Sequence, residues 1–158
     1  MSGIETNFSE AKIQQLAVAE IRNKFPETYG CLYHVPNGGL RDKRTASILK
    51  GQGVVPGIPD LHFIWEGKIY LIEVKDHDGP ISSEQKLIHA QHKVHGLDTY
   101  VFRTSEQIIY FVTYIIQGKS LHGFNRFISP YSVAENVELY REELSALKIK
   151  RLQQRKAA

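Results

Sequence analysis

The sequence predicts one α/β domain in which a mixed sheet carries helices on its faces. Three observations lead there. Residues 9–25 repeat apolar side chains at steps of four, and two short apolar runs, 60–65 and 69–75, are joined by the turn "EGK". A capped helical pattern over 82–96 and a further strand at 98–104 then follow. With a strand at 31–35, the order of helix, three-stranded meander, helix and strand makes a mixed sheet with helices packed on it.

Each element has a local reason. Ser9 is the cap of the first helix, Ile13, Ala17, Ile21 and Phe25 form its apolar stripe, and Pro26 stops it. "CLYHV" (31–35) is strand-like and runs into the turn "PNGG" (36–39), after which 40–50 reads as a short basic helix ending at Gly51. "GQGVVPGIP" (51–59) is loop. Ser82 and Gln85 have capping-box spacing, and Gly96 suits the end of that helix. "SEQIIYFVTYIIQG" (105–118) reads as a helix with a strand as the alternative, 119–131 as irregular, and 132–156 as a charged helix. Residues 1–118 thus form the expected domain. Residues 119–158 form a helical extension packed on it or at a dimer interface.

Composition narrows the class. The 158 residues are 42% hydrophobic and 23% charged, enough for a real core. The most apolar stretch, "IIYFVTYII" (108–116), is far short of the roughly 20 residues that span a bilayer. The single cysteine, Cys31, excludes an internal disulfide and a cysteine zinc cage, and its strand position suits the core. The first residues lack a signal-peptide pattern, so the expected setting is the cytoplasm of a bacterial or phage-infected cell, or the nucleus of a eukaryotic one. The net charge is +3, but segment 40–50 has four bases against one acid and 141–158 six against two. Local basic surface suits a polyanion such as nucleic acid.

The acids at the ends of the apolar runs are the informative feature. Residues two apart on a strand share a face, so Glu73 and Lys75 do, and a hairpin turning near 66–68 lays Asp60 opposite them. Ionised carboxylates at the rim of a core are costly unless compensated. With the Val74 carbonyl, Asp60 and Glu73 make a hard oxygen site of the kind Mg²⁺ prefers, and Lys75 is placed to orient a water or neutralise a transition state. The structural alternative is an ion pair of Lys75 with either acid, worth ~0–1 kcal/mol where exposed.

"PGIPDL" (56–61), thirteen residues from Asp60 to Glu73, and "EVK" (73–75) resemble the PD-(D/E)xK nuclease motif. The series "SEAKIQ", "PNGGLR", "GVVPGIPDL", "IEVK" and "ISSEQ" is similar to the virus-type replication-repair nuclease (VRR-NUC) branch of that superfamily, over roughly residues 9–104. The resemblance implies a restriction-endonuclease-like αβββαβ core and a Mg²⁺- or Mn²⁺-dependent phosphodiesterase. It maps metal ligands onto Asp60 and Glu73, the catalytic lysine onto Lys75 and a supporting glutamine onto Gln85, and it calls for no nucleotide cofactor. It also implies a glutamate on the first helix. Taking Glu10 as 0° at about 100° per residue, Ile13, Ala17 and Ile21 lie near 300°, 340° and 20°, whereas Glu20 lies near 280°. Glu10, reaching the metal directly or through water, is the choice, and Glu20 the alternative. Gln85 serves either the site or the Ser82 cap.

Asn37, Gly38, Arg41, Lys43, Arg44 and Lys50 are the candidate nucleic-acid contacts: exposed turn amides followed by bases. His89, His92 and His95 are spread across about 120° of a helix without cysteine, which favours surface or partly packed imidazoles over zinc. His77, between Asp76 and Asp78, reads as a solvated loop residue. The expected function is a metal-dependent DNA endonuclease selective for branched DNA, such as a four-way junction. Flap- or end-directed repair cleavage and a non-catalytic nucleic-acid-binding module are the alternatives. Val137, Tyr140, Leu144 and Leu147 recur at helical spacing and would suit pairing of two subunits in a homodimer.

Overall fold

The computed structural model describes residues 7–36, 42–127 and 132–157. Helix α1 (Glu10–Lys24) begins where Ser9 accepts a hydrogen bond from the Lys12 amide, and it buries Ile13, Ala17 and Ile21 completely. Pro26 opens a 3-10 turn (Pro26–Thr28) that leads to strand β1 (Leu32–His34), with Cys31 just before the strand and half-buried against the core. Helix α2 (Lys43–Gly51) is capped by Asp42, which accepts from the Arg44 and Thr45 amides, and it buries no residue.

Strands β2 (Leu61–Trp65) and β3 (Lys68–Val74) form the hairpin. Its two-residue turn has both φ angles positive, 47° at Glu66 and 74° at Gly67, the geometry whose twist matches that of paired strands. Helix α3 (Ser83–Val94) and strand β4 (Thr99–Phe102) follow, then α4 (Ser105–Ile116) and α5 (Val133–Ala157). The segment 105–116 is helical, opened by a Thr104–Gln107 capping box that outweighs its β-branched content.

The four strands lie in the order β1-β2-β3-β4, antiparallel except for the parallel β3–β4 pair. This is a mixed α/β architecture with helices on both faces. Helices α1 and α4 pack together over one face, where Ile72 and Val74 of β3 meet Ile13, Ile21, Phe111 and Val112. Each such fully buried aliphatic contributes about 1.5–3 kcal/mol. Helices α3 and α5 pack together on the other side, through Ala90, Val137 and Tyr140.

One expectation changes. Residues 125–127 are not irregular: Asn125 and Phe127 exchange backbone hydrogen bonds with Val101 and Thr99, placing Arg126 antiparallel to Tyr100 on the free edge of β4. A single bridge has no periodicity for a sequence to display. Within the apolar stripe of α5, Val137 and Tyr140 are buried beside Ala90, Leu87 and Phe127, which packs this helix on the domain, while Leu144 and Leu147 are only half-buried.

Gly57 fixes the approach of the 52–59 loop to α3. Its φ is +88°, and a Cβ there would fall 2.7 Å from the Glu84 carbonyl oxygen. Gly57→Ala is therefore expected to destabilise the fold by more than about 1 kcal/mol, read as a lower urea midpoint at unchanged m-value.

Candidate functional site

The hairpin register pairs Leu61 with Ile72, which puts Asp60 level with Glu73 where β2 begins and β3 ends. Asp60 is held from two sides. Its Oδ2 accepts the Val74 amide at 2.8 Å, and its carbonyl accepts from the Val35 amide at 2.9 Å and from His34 Nδ1 at 2.8 Å. That last contact puts the proton on Nδ1, because a carbonyl oxygen only accepts. Strand geometry turns the Val74 carbonyl to the same side as its amide, toward β2.

Ile72 and Val74 point into the α1–α4 core, so alternation turns Glu73 and Lys75 toward α3. Glu73 has no solvent exposure. Its Oε1 lies 3.2 Å from Lys75 Nζ and accepts from Gln85 Nε2 at 2.5 Å, while Oε2 makes no hydrogen bond and faces His89 Nε2 at 3.6 Å. Lys75, also buried, reaches Glu10 Oε1 at 3.4 Å. Helix α1 thus adds one acid to the cluster at its first turn. Glu20 is elsewhere, paired on the surface with Lys24 at 3.3 Å.

Gln85 takes both roles that its position allows. Its Oε1 accepts the Ser82 amide to close the capping box, and its Nε2 reaches Glu73. One side chain therefore ties the start of α3 to the carboxylate at the end of β3.

Burial and mutual repulsion set the acid–base state of the cluster. The Asp60 carboxyl is pushed up to about 6, by burial first and then by the charge of Glu73, against the pull of the Val74 amide and Lys75. Glu73 is pushed up to about 7 by burial, with Lys75 opposing and Glu10 adding to the rise. His89 is lowered to about 4 by burial and by the nearby Lys75 charge, so its ring is neutral.

Two side chains here carry weight that the sequence did not reveal. His89 is fully buried, not superficial, with its ring edge-on to Phe127 at 5.4 Å. The available signal was its spacing of four from Gln85, which places both on one face of α3. Arg103, after β4, donates through Nη1 to the carbonyls of Asp76 (2.6 Å), His77 (3.3 Å) and Gly79 (3.0 Å), clamping the loop that follows Lys75. Nothing local in "FRTSEQ" marks that role.

Of the candidate nucleic-acid contacts, Asn37, Gly38 and Arg41 lie outside the described residues. Lys43, Arg44 and Lys50 are exposed on α2. His77 is exposed beside Asp78, and His92 is half-buried while His95 is exposed. Among the described residues, no group of three or more His, Cys, Asp or Glu side chains stands at metal-ligand spacing. Asp60 and Glu73 form a pair, and Glu10 joins them through the Lys75 ammonium. No described helix is long and apolar enough to cross a membrane. Comparison with family models, curated proteins and solved structures returns no match to this chain.

The raised carboxyls predict a pH signature. Between about 4.5 and 7 the folded state keeps a proton on Glu73 that the unfolded chain has released, so this group lowers stability as pH rises through that window. His89 titrates in the opposite sense, so the informative readout is a difference between proteins. Thermal melts should show Glu73→Gln gaining stability relative to wild type from pH 5 to pH 8; a pH-independent difference would contradict the assignment.

Proposed function

We propose that the protein is a metal-dependent nuclease that hydrolyses phosphodiester bonds in DNA, of the VRR-NUC kind that its sequence blocks resemble. The observation that carries the reading is Glu73: a carboxylate without solvent exposure, one oxygen unpartnered, level with a second acid whose proton affinity is also raised. Carboxylates kept at such cost are common where a cation or a reacting group is handled. Apart from α2, inserted between β1 and β2, the order α1-β1-β2-β3-α3-β4 is consistent with the restriction-endonuclease-like core that the resemblance implies.

Asp60 and Glu73 would hold Mg²⁺ or Mn²⁺, with the Val74 carbonyl toward the same side, and these are hard oxygen donors suited to those ions. The bound ion would polarise the phosphodiester and offset charge on the leaving oxygen. The chain's own residues do the rest. Gln85 orients Glu73 by holding Oε1, with Oε2 turned toward His89. Lys75, buried among the acids, is aimed by Glu10 and Glu73, so its ammonium can stabilise negative charge on the attacked phosphoryl group. Branched DNA is the proposed substrate, and paired cuts across a junction would require two copies of the chain.

A nucleic-acid-binding module without turnover is the second reading. One observation favours it: Lys75 already neutralises Glu10 and Glu73 as a closed ion-pair cluster. Labelled four-way junction, flap, single-stranded and duplex DNAs, incubated with Mg²⁺, Mn²⁺ or EDTA, separate the two. Cleavage should require metal and fall at least about 10²-fold in Lys75→Ala. Salt-sensitive binding with no cutting of any DNA under either metal would discard the nuclease in favour of the module.

A further inference from the structure

We infer that the cleft between α2, α3 and α5 is a binding track for a nucleic-acid backbone, one helix width from the acid cluster and built in part by a helix outside the sequence resemblance. The inference rests on the nuclease reading for the identity of the polyanion. The cleft holds about 360 Å³. Its rim carries Lys50 from α2 and Lys148 and Arg151 from α5, with Glu84 as its one acid. Val55, Pro56, Leu87, Ile88, Leu144 and Leu147 line the rest, an apolar floor suited to sugar edges beneath a cationic rim suited to phosphates.

Charge along both helices runs the same way. Residues 144–158 hold five bases and no acid, and 43–51 hold three bases and no acid. Free cations gathered around one cleft fit a polyanion better than a neutral partner. Position supports the same occupant. Around α3, Gln85 faces Glu73 while its neighbour Glu84 faces the cleft, and the loop carrying Val55 and Pro56 leads directly to Asp60. Cleft and acids are therefore separated by the width of a helix, ~10 Å, or about three phosphates along a strand.

The test is DNA binding by fluorescence anisotropy in EDTA, on a labelled duplex at several salt concentrations. The variant combines Lys50→Ala, Lys148→Ala and Arg151→Ala, all at exposed positions. The control removes the same charge elsewhere: Lys24→Ala, Lys68→Ala and Lys119→Ala. The cleft variant should bind about 10- to 100-fold more weakly near 0.1 M salt, with the log–log salt slope reduced by about two to three, while the control keeps the wild-type slope. An unchanged slope in the cleft variant overturns the inference, as does cleft-dependent binding of poly-L-glutamate without DNA binding, which assigns the cleft to an acidic protein partner. Metal-dependent cutting with an unchanged slope would sink the track and keep the nuclease. A cleft-dependent slope without cutting would do the reverse.

Discussion

The burial of the Glu73 carboxylate is the constraint around which the rest of the molecule is arranged. A carboxylate removed from water must be neutralised, hydrogen-bonded or protonated, and here each remedy is partial. Lys75 and Gln85 share one oxygen, and the other faces a neutral imidazole without a hydrogen bond. An apolar side chain of similar size would fill the space at lower cost, which is why the proposed function is built on this residue.

That constraint reaches every layer. The hairpin register brings Asp60 level with Glu73, the cap of α3 doubles as a hydrogen-bond donor to it, and the first turn of α1 supplies the acid that shares Lys75. Arg103 fixes the loop beyond Lys75 from the far side of β4. The cluster therefore draws on two helices and three strand ends, and a shift of α3 would move Glu73 with it. The fold thus fixes these charges and dipoles relative to one another, the preorganisation on which the proposed hydrolysis would rely.

Charge is segregated on the larger scale as well. Acids gather at the ends of β2 and β3, whereas residues 43–51 of α2 and 144–157 of α5 carry bases and no acid. Val137 and Tyr140 of α5 cover α3. The basic half of the helix lies beside the loop leading to Asp60.

Much of this was written locally. Caps at Ser9, Ser82 and Thr104, the four-residue stripe of Ile13, Ala17 and Ile21, and the two-residue turn at Glu66–Gly67 act within a few residues, so the elements and their order could be read from the sequence. So could the meeting of Asp60 with Glu73 and Lys75, because strand alternation and hairpin length together determine register. What lay beyond reach were contacts that join distant segments: the burial of His89 against Glu73, the Arg103 clamp, the pairing of 125–127 with β4, and the choice of α3 as the partner of α5. Periodicity states that a face will be covered, but not by what. Only the packing of sheet and helices decides which side chains lose their water, and with it their charge.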